Sequence, residues 1–96
     1  MALVIEFSED AEAHLAEFSA RERKIVLDAI EANLAWEPSV ASKNRKLLRT
    51  NPLASWELRV GLFRVFYNVS ATTVVIVAVG RKSHNKLFLA GRKYRL

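Results

Sequence analysis

Trp56 to Val69 reads WELRVGLFRVFYNV, and this stretch decides the fold because it carries its own register. Gly61-Leu62 predicts a two-residue type II′ turn, in which glycine supplies the positive φ of the first central position. Val60 is then expected opposite Phe63, Arg59 opposite Arg64, Leu58 opposite Val65 and Glu57 opposite Phe66. Side chains alternate across a strand, so Leu58, Val60, Phe63 and Val65 share one face, while Glu57, Arg59, Arg64 and Phe66 share the other. Two arginines directly opposite each other repel unless an anion lies between them. Glu57, diagonal to Arg64, serves in part. A phosphate would serve better, since guanidinium is a planar fork of donors matched to phosphate oxygens. A solvated sheet face with Glu57 as neutraliser is the alternative this stretch leaves open.

Working outward, Leu3 to Phe7 is a short apolar-rich run expected to form the first strand. Ser8 fits a helix N-cap, with Glu9 and Asp10 in the first turn where the helix dipole favours acids. Ala11, Leu15 and Phe18 continue at helical spacing, with His14 beside them as a structural histidine. Ser19-Ala20-Arg21-Glu22 is a capping box, predicting a second helix that runs to about Trp36. Pro38 stops it by biasing Glu37 away from helix. The two helices form an α-hairpin whose apolar faces need a sheet to cover. Residues 38–55 are expected to be a long loop, with Leu47-Leu48 pinning it to the core and Lys43, Arg45, Lys46 and Arg49 facing out. Thr73 to Val79, apolar on both faces, suits a central strand that Gly80 ends. Trp36 and Trp56 fit packing at element ends rather than stacking platforms.

The chain has 96 residues and no cysteine, which predicts one domain over residues 1–96 and excludes a disulfide scaffold and thiolate chemistry. No apolar run approaches a membrane span and MALVIEF lacks the features of a signal peptide, so a cytoplasmic protein without membrane partners is expected. Charge is sharply divided. Residues 1–42 hold nine acidic side chains against three basic ones, and residues 43–96 hold twelve basic side chains against Glu57 alone. Such asymmetry points to a polyanion contacted by the C-terminal half, with nucleic acid as the leading candidate. On this basis Lys43, Arg45, Lys46, Arg49, Arg81 and Lys86 are candidate RNA-binding residues. Two histidines without ligand spacing give no metal site, and the isolated glycines give no phosphate loop, so no cofactor is expected.

The order β-α-α-β-β-β resembles the RelE/ParE superfamily of toxins from type II toxin–antitoxin pairs. The marks that carry the resemblance are NRKLLRTNPLASWELRVGLFRVFYNV (residues 44–69) and AVGRKSHNKLF (residues 78–88). The resemblance implies an α+β fold, two N-terminal helices on a twisted, mainly antiparallel sheet of about four strands. It implies a cognate antitoxin as partner and one of two targets. RelE-like toxins cleave messenger RNA on the ribosome, and ParE-like toxins poison DNA gyrase. For the first kind, the resemblance places Arg64 at the scissile phosphate, where it and Arg59 would stabilise negative charge while Lys82 helps to hold the phosphate; Arg64 is expected to be exposed. Glu57 stands where a lysine is found in the best-known ribosome-dependent relative, and Phe88 near where a catalytic tyrosine is expected. Glu57 and His84 would then form a carboxylate–imidazole acid–base pair, with Tyr94 as a further phenol. The expectation is a metal-independent endoribonuclease. A gyrase poison, or an inert basic RNA- or antitoxin-binding module, are the alternatives.

Overall fold

The hairpin closes as its sequence dictates. Gly61 has φ +59 and Leu62 has no positive φ, the signature of a type II′ turn. All four cross-strand pairs fall in the expected register, from Glu57 opposite Phe66 to Val60 opposite Phe63. In this computed structural model, which describes residues 2–89 and the backbone of 92–94, the hairpin is the middle of a larger sheet. The elements are β1 (Val4–Phe7), α1 (Glu9–Ala16), α2 (Ala20–Leu34), β2 (Arg45–Leu47), β3 (Trp56–Val60), β4 (Phe63–Val69), β5 (Thr73–Ser83), β6 (Lys86–Leu89) and β7 (Arg92–Tyr94). The strands run β2-β3-β4-β5-β6-β7, and β1 pairs with β5 in parallel. The other pairings are antiparallel. No described helix is long and apolar enough to cross a membrane.

Both helices start where the capping residues put them. Ser8 Oγ accepts from the Ala11 N–H, and Ser19 and Glu22 satisfy each other's backbone N–H groups in a complete capping box. Arg23 turns back to donate to the Leu15 and Phe18 carbonyls, satisfying the open C-terminal end of α1. Val26, Ile30 and Leu34 bury one stripe of α2 against Leu58, Val65 and Ile76 of the sheet. Helix α2 ends two residues before Trp36, and Glu37 sits at φ +51 ahead of Pro38. Trp36 stays exposed, whereas Trp56 is buried and stacks on Tyr67 with centroids 6.2 Å apart.

The sheet exceeds the expected four strands at both ends, by β2 on one side and by β6 and β7 on the other. Residues 38–55 are not all loop: they contain edge strand β2, held by pairing with Trp56 to Leu58. Leu48, Leu53 and Ala54 fold over the second face of the sheet, covering Phe66, Ala78, Leu87 and Leu89. Leu48 thus pins the segment, while Leu47 is exposed. Finally, Gly80 does not end the central strand. Strand β5 continues to Ser83 and turns through His84-Asn85, both at positive φ, into β6. A second hairpin lies there because two positive φ values suit a tight turn, even without glycine.

A β-bulge in β5 decides which basic residues meet. Phe66 pairs with Ala78 and Tyr67 with Ile76, leaving Val77 extra. Val74 and Ile76 face the helices before the bulge, and Val79 does so after it. Face parity therefore switches, sending Lys82 to the side of Glu57 and Arg81 to the helix side.

Helix α1 fills the gap that the bulge opens. Strand β1 pairs with Thr73 to Ile76, and β6 with Arg81 to Ser83. Between them Ser8 Oγ donates to the Val77 carbonyl at 2.8 Å, and His14 Nδ1 accepts from the Val79 N–H at 3.1 Å. The ring must be neutral to accept, and burial pushes its pKa below the ordinary value, with Asp10 opposing. A pKa depressed by folding contributes stability above the ordinary value, about 6.5, that is lost as pH falls through the folded value. Melting temperature is therefore expected to drop between pH 7 and 5. His14→Gln, which keeps an acceptor but does not titrate, should flatten that part of the profile. An unchanged slope in this variant would assign the pH dependence elsewhere.

Candidate functional site

Three strands and residues 48–51 line a polar groove of about 490 Å³. Its lining includes Lys46 from β2, Arg49, Thr50 and Asn51 from the following segment, Glu57 and Arg59 from β3, and Lys82 from β5. Lys46 reaches it because it pairs across the strand with Glu57 and shares its face. Asn51 shapes the wall that carries Arg49. Its Oδ1 accepts from the Leu53 and Ala54 N–H groups, and its Nδ2 donates to the Arg49 and Ala54 carbonyls. Thr50 and Asn51 were not among the expected site residues, although Asn51-Pro52 is a legible turn signal.

Glu57 is 4 % exposed, the one buried charged residue among those described. Its Oε1 accepts from Arg59 Nε at 3.2 Å and lies 3.9 Å from Arg64 Nε. The facing arginines thus have their anion built in. Arg64 is not in the exposed position expected of it. Its Nη1 donates to the Gly61 and Phe63 carbonyls at 2.7 and 2.8 Å, and its side chain is 12 % exposed. Its Nε is buried without a hydrogen-bond partner. That burial lowers the guanidinium pKa below its ordinary value, Glu57 opposing the shift, yet an arginine remains charged. Arg59 keeps its guanidinium partly in solvent, with the side chain 44 % exposed.

The remaining candidates are dispersed. Arg45 is folded onto the Val40 and Asn33 carbonyls, where it ties the exit of α2 to β2. Arg81 pairs with Glu22 at 2.7 Å and lies over the Phe18 and Phe63 rings on the helix side. Glu22 is held below the usual carboxylate range by that bond and by its capping contacts. His84 and Lys86 are exposed at the β5–β6 turn and do not line the groove, so no Glu57–His84 pair forms. Lys43 is exposed ahead of β2. Phe88 sits across from Arg81, so a phenol at that position would share the Arg81 face. The Tyr94 side chain lies outside the described residues. Among the described residues no three His, Asp or Glu side chains cluster as a metal site would need.

The groove is cationic at its rim with a neutralised carboxylate beneath, next to a hairpin capped by its own arginine. A family model described as the ParE toxin of type II toxin–antitoxin systems, parDE, matches residues 5–86. The chain belongs to this toxin family. The match spans both helices, the Trp56–Val69 hairpin and the groove, ending at Lys86. One chain of the crystal structure of the toxin–antitoxin complex RelBE2 from Mycobacterium tuberculosis is similar to this toxin, with a TM-score of 0.73 and 25 % identity. The similarity covers 85 % of this chain and 100 % of that one. No curated protein matches.

Proposed function

We propose that this toxin arrests growth by binding DNA gyrase and that it does not cleave messenger RNA. The observation that carries the proposal is the state of Glu57. Metal-free RNA cleavage needs a base to take the 2′-hydroxyl proton and an acid to protonate the leaving oxygen. Glu57 is 4 % exposed and its Oε1 is already taken by Arg59 Nε at 3.2 Å, with Arg64 Nε at 3.9 Å, so little of the carboxylate is presented to a 2′-hydroxyl. The imidazole that would complete an acid–base pair is outside the groove. What remains is a binding surface, which a poison needs and a nuclease exceeds.

Membership of the ParE family supports gyrase as the target, and the RelBE2 complex supports a cognate antitoxin as partner. Both targets, gyrase and the ribosome, put the site of action in the cytoplasm. The ribosome-dependent endoribonuclease is the second reading, favoured by the convergence of Lys46, Arg59 and Lys82 on one groove. The test adds purified toxin to a gyrase supercoiling reaction, with and without the antitoxin. Inhibition relieved by antitoxin is the expected result. Uninhibited supercoiling at a toxin concentration that stops translation would overturn the proposal.

A further inference from the structure

Glu57 is the only acidic residue in the last 54 positions, and it lies beneath a groove lined by Lys46, Arg49, Arg59 and Lys82. A buried charge persists only when paired, and this one pairs with two arginines that face each other across the hairpin. The Arg59 guanidinium, 44 % exposed at the groove, is a fork of donors that an RNA phosphate could occupy. The carboxylate is already there. We infer that Glu57 is a specificity residue, a built-in anion that occupies the phosphate position of the groove and keeps the phosphodiester backbone of RNA out.

The inference follows from charge and position together. Without Glu57 the groove would present unopposed cations from β2, β3, β5 and the segment after β2. With it, Arg59 Nε is engaged at 3.2 Å, while Arg64, 3.9 Å away, is held by the Gly61 and Phe63 carbonyls. A phosphate approaching the pair would meet a like charge. The inference rests on the groove being a binding face and deepens that reading by naming the ligand class it rejects. Its assay contains neither gyrase nor ribosome, so the two readings fail separately.

The experiment measures binding of a fluorescent single-stranded RNA by anisotropy across a salt series. Glu57→Gln keeps the side-chain shape and removes the charge. It is expected to bind about 10-fold more tightly than the native chain at low salt, with a salt slope steeper by roughly one unit, because the Arg59 guanidinium becomes available to phosphates. Glu22→Gln is the matched control. It changes net charge equally and frees Arg81, but on the helix side of the sheet. Its affinity should stay within about twofold of native, the distance from the groove being largely screened. Glu57→Met, apolar and of similar volume beside Phe66, guards against a fold that rejects glutamine. Equal affinity for the Glu57 and Glu22 variants would overturn the inference. Loss of folding in both Glu57 variants would overturn it too, by making the carboxylate a structural counter-ion.

Discussion

Gly80→Ala is expected to lower the melting temperature by roughly 15 °C, through a loss of about 3 kcal/mol. A Cβ at Gly80 would stand 2.5 Å from the Phe88 carbonyl oxygen and would overlap a Leu89 methyl. The leucine can rotate away. The carbonyl belongs to the β6 backbone, so relief requires the whole hairpin to shift from β5. That shift would expose Leu87 and Leu89, which cover Phe66 on the second face of the sheet. Thermal melting with amide exchange over β6 checks this. A variant melting within a few degrees of native, with β6 still protected, would show that the close approach is easily relieved.

The second large effect is expected at Arg64. Arg64→Ala removes two hydrogen bonds from a charged donor to the Gly61 and Phe63 carbonyls and leaves Glu57 with Arg59 alone. Bonds from a charged donor contribute about 1.5–3 kcal/mol each, and the exposed Gly61 bond lies at the low end while the Phe63 bond is part-buried. The turn carbonyls regain water on truncation, so the expected loss is about 2–3 kcal/mol, or roughly 10–15 °C. Arg64→Lys should recover only part of it, because an ammonium that reaches the two carbonyls puts nothing in the place of Nε beside Glu57. Growth inhibition should fall in step with the melting temperature. Lost toxicity with an unchanged melting temperature would make Arg64 a contact residue instead.

Much of the fold is legible in the sequence because its signals are local. Gly61 fixes the hairpin register, Ser8 and the Ser19–Glu22 box start the helices, and Val26, Ile30 and Leu34 mark the buried stripe. The groove is less legible because it depends on non-local events. Val77 is one valine in an apolar run, and nothing in that run marks the bulge that sends Lys82 to the groove and Arg81 to Glu22. Gly80 reads as a terminator in sequence, whereas its role is to admit the β6 backbone. Arg45 and Arg64 look like free cations in a basic half. Their partners are backbone carbonyls, which composition does not reveal. Glu57 stands out in sequence as the one acid among twelve bases. Its burial against Arg59 and Arg64 is not legible there, and on the proposed function that burial leaves too little of the carboxylate to act as a base.

Messenger integrity on programmed ribosomes tests that claim most directly. The toxin, at a concentration that inhibits gyrase, is incubated with ribosomes stalled on a defined messenger, and the RNA ends are mapped. The native chain is expected to leave the messenger intact, and so is Glu57→Gln. Cleavage by the native chain to cyclic phosphate or 3′-phosphate ends, lost in Glu57→Gln, would contradict the account, because Glu57 would then be acting as the base.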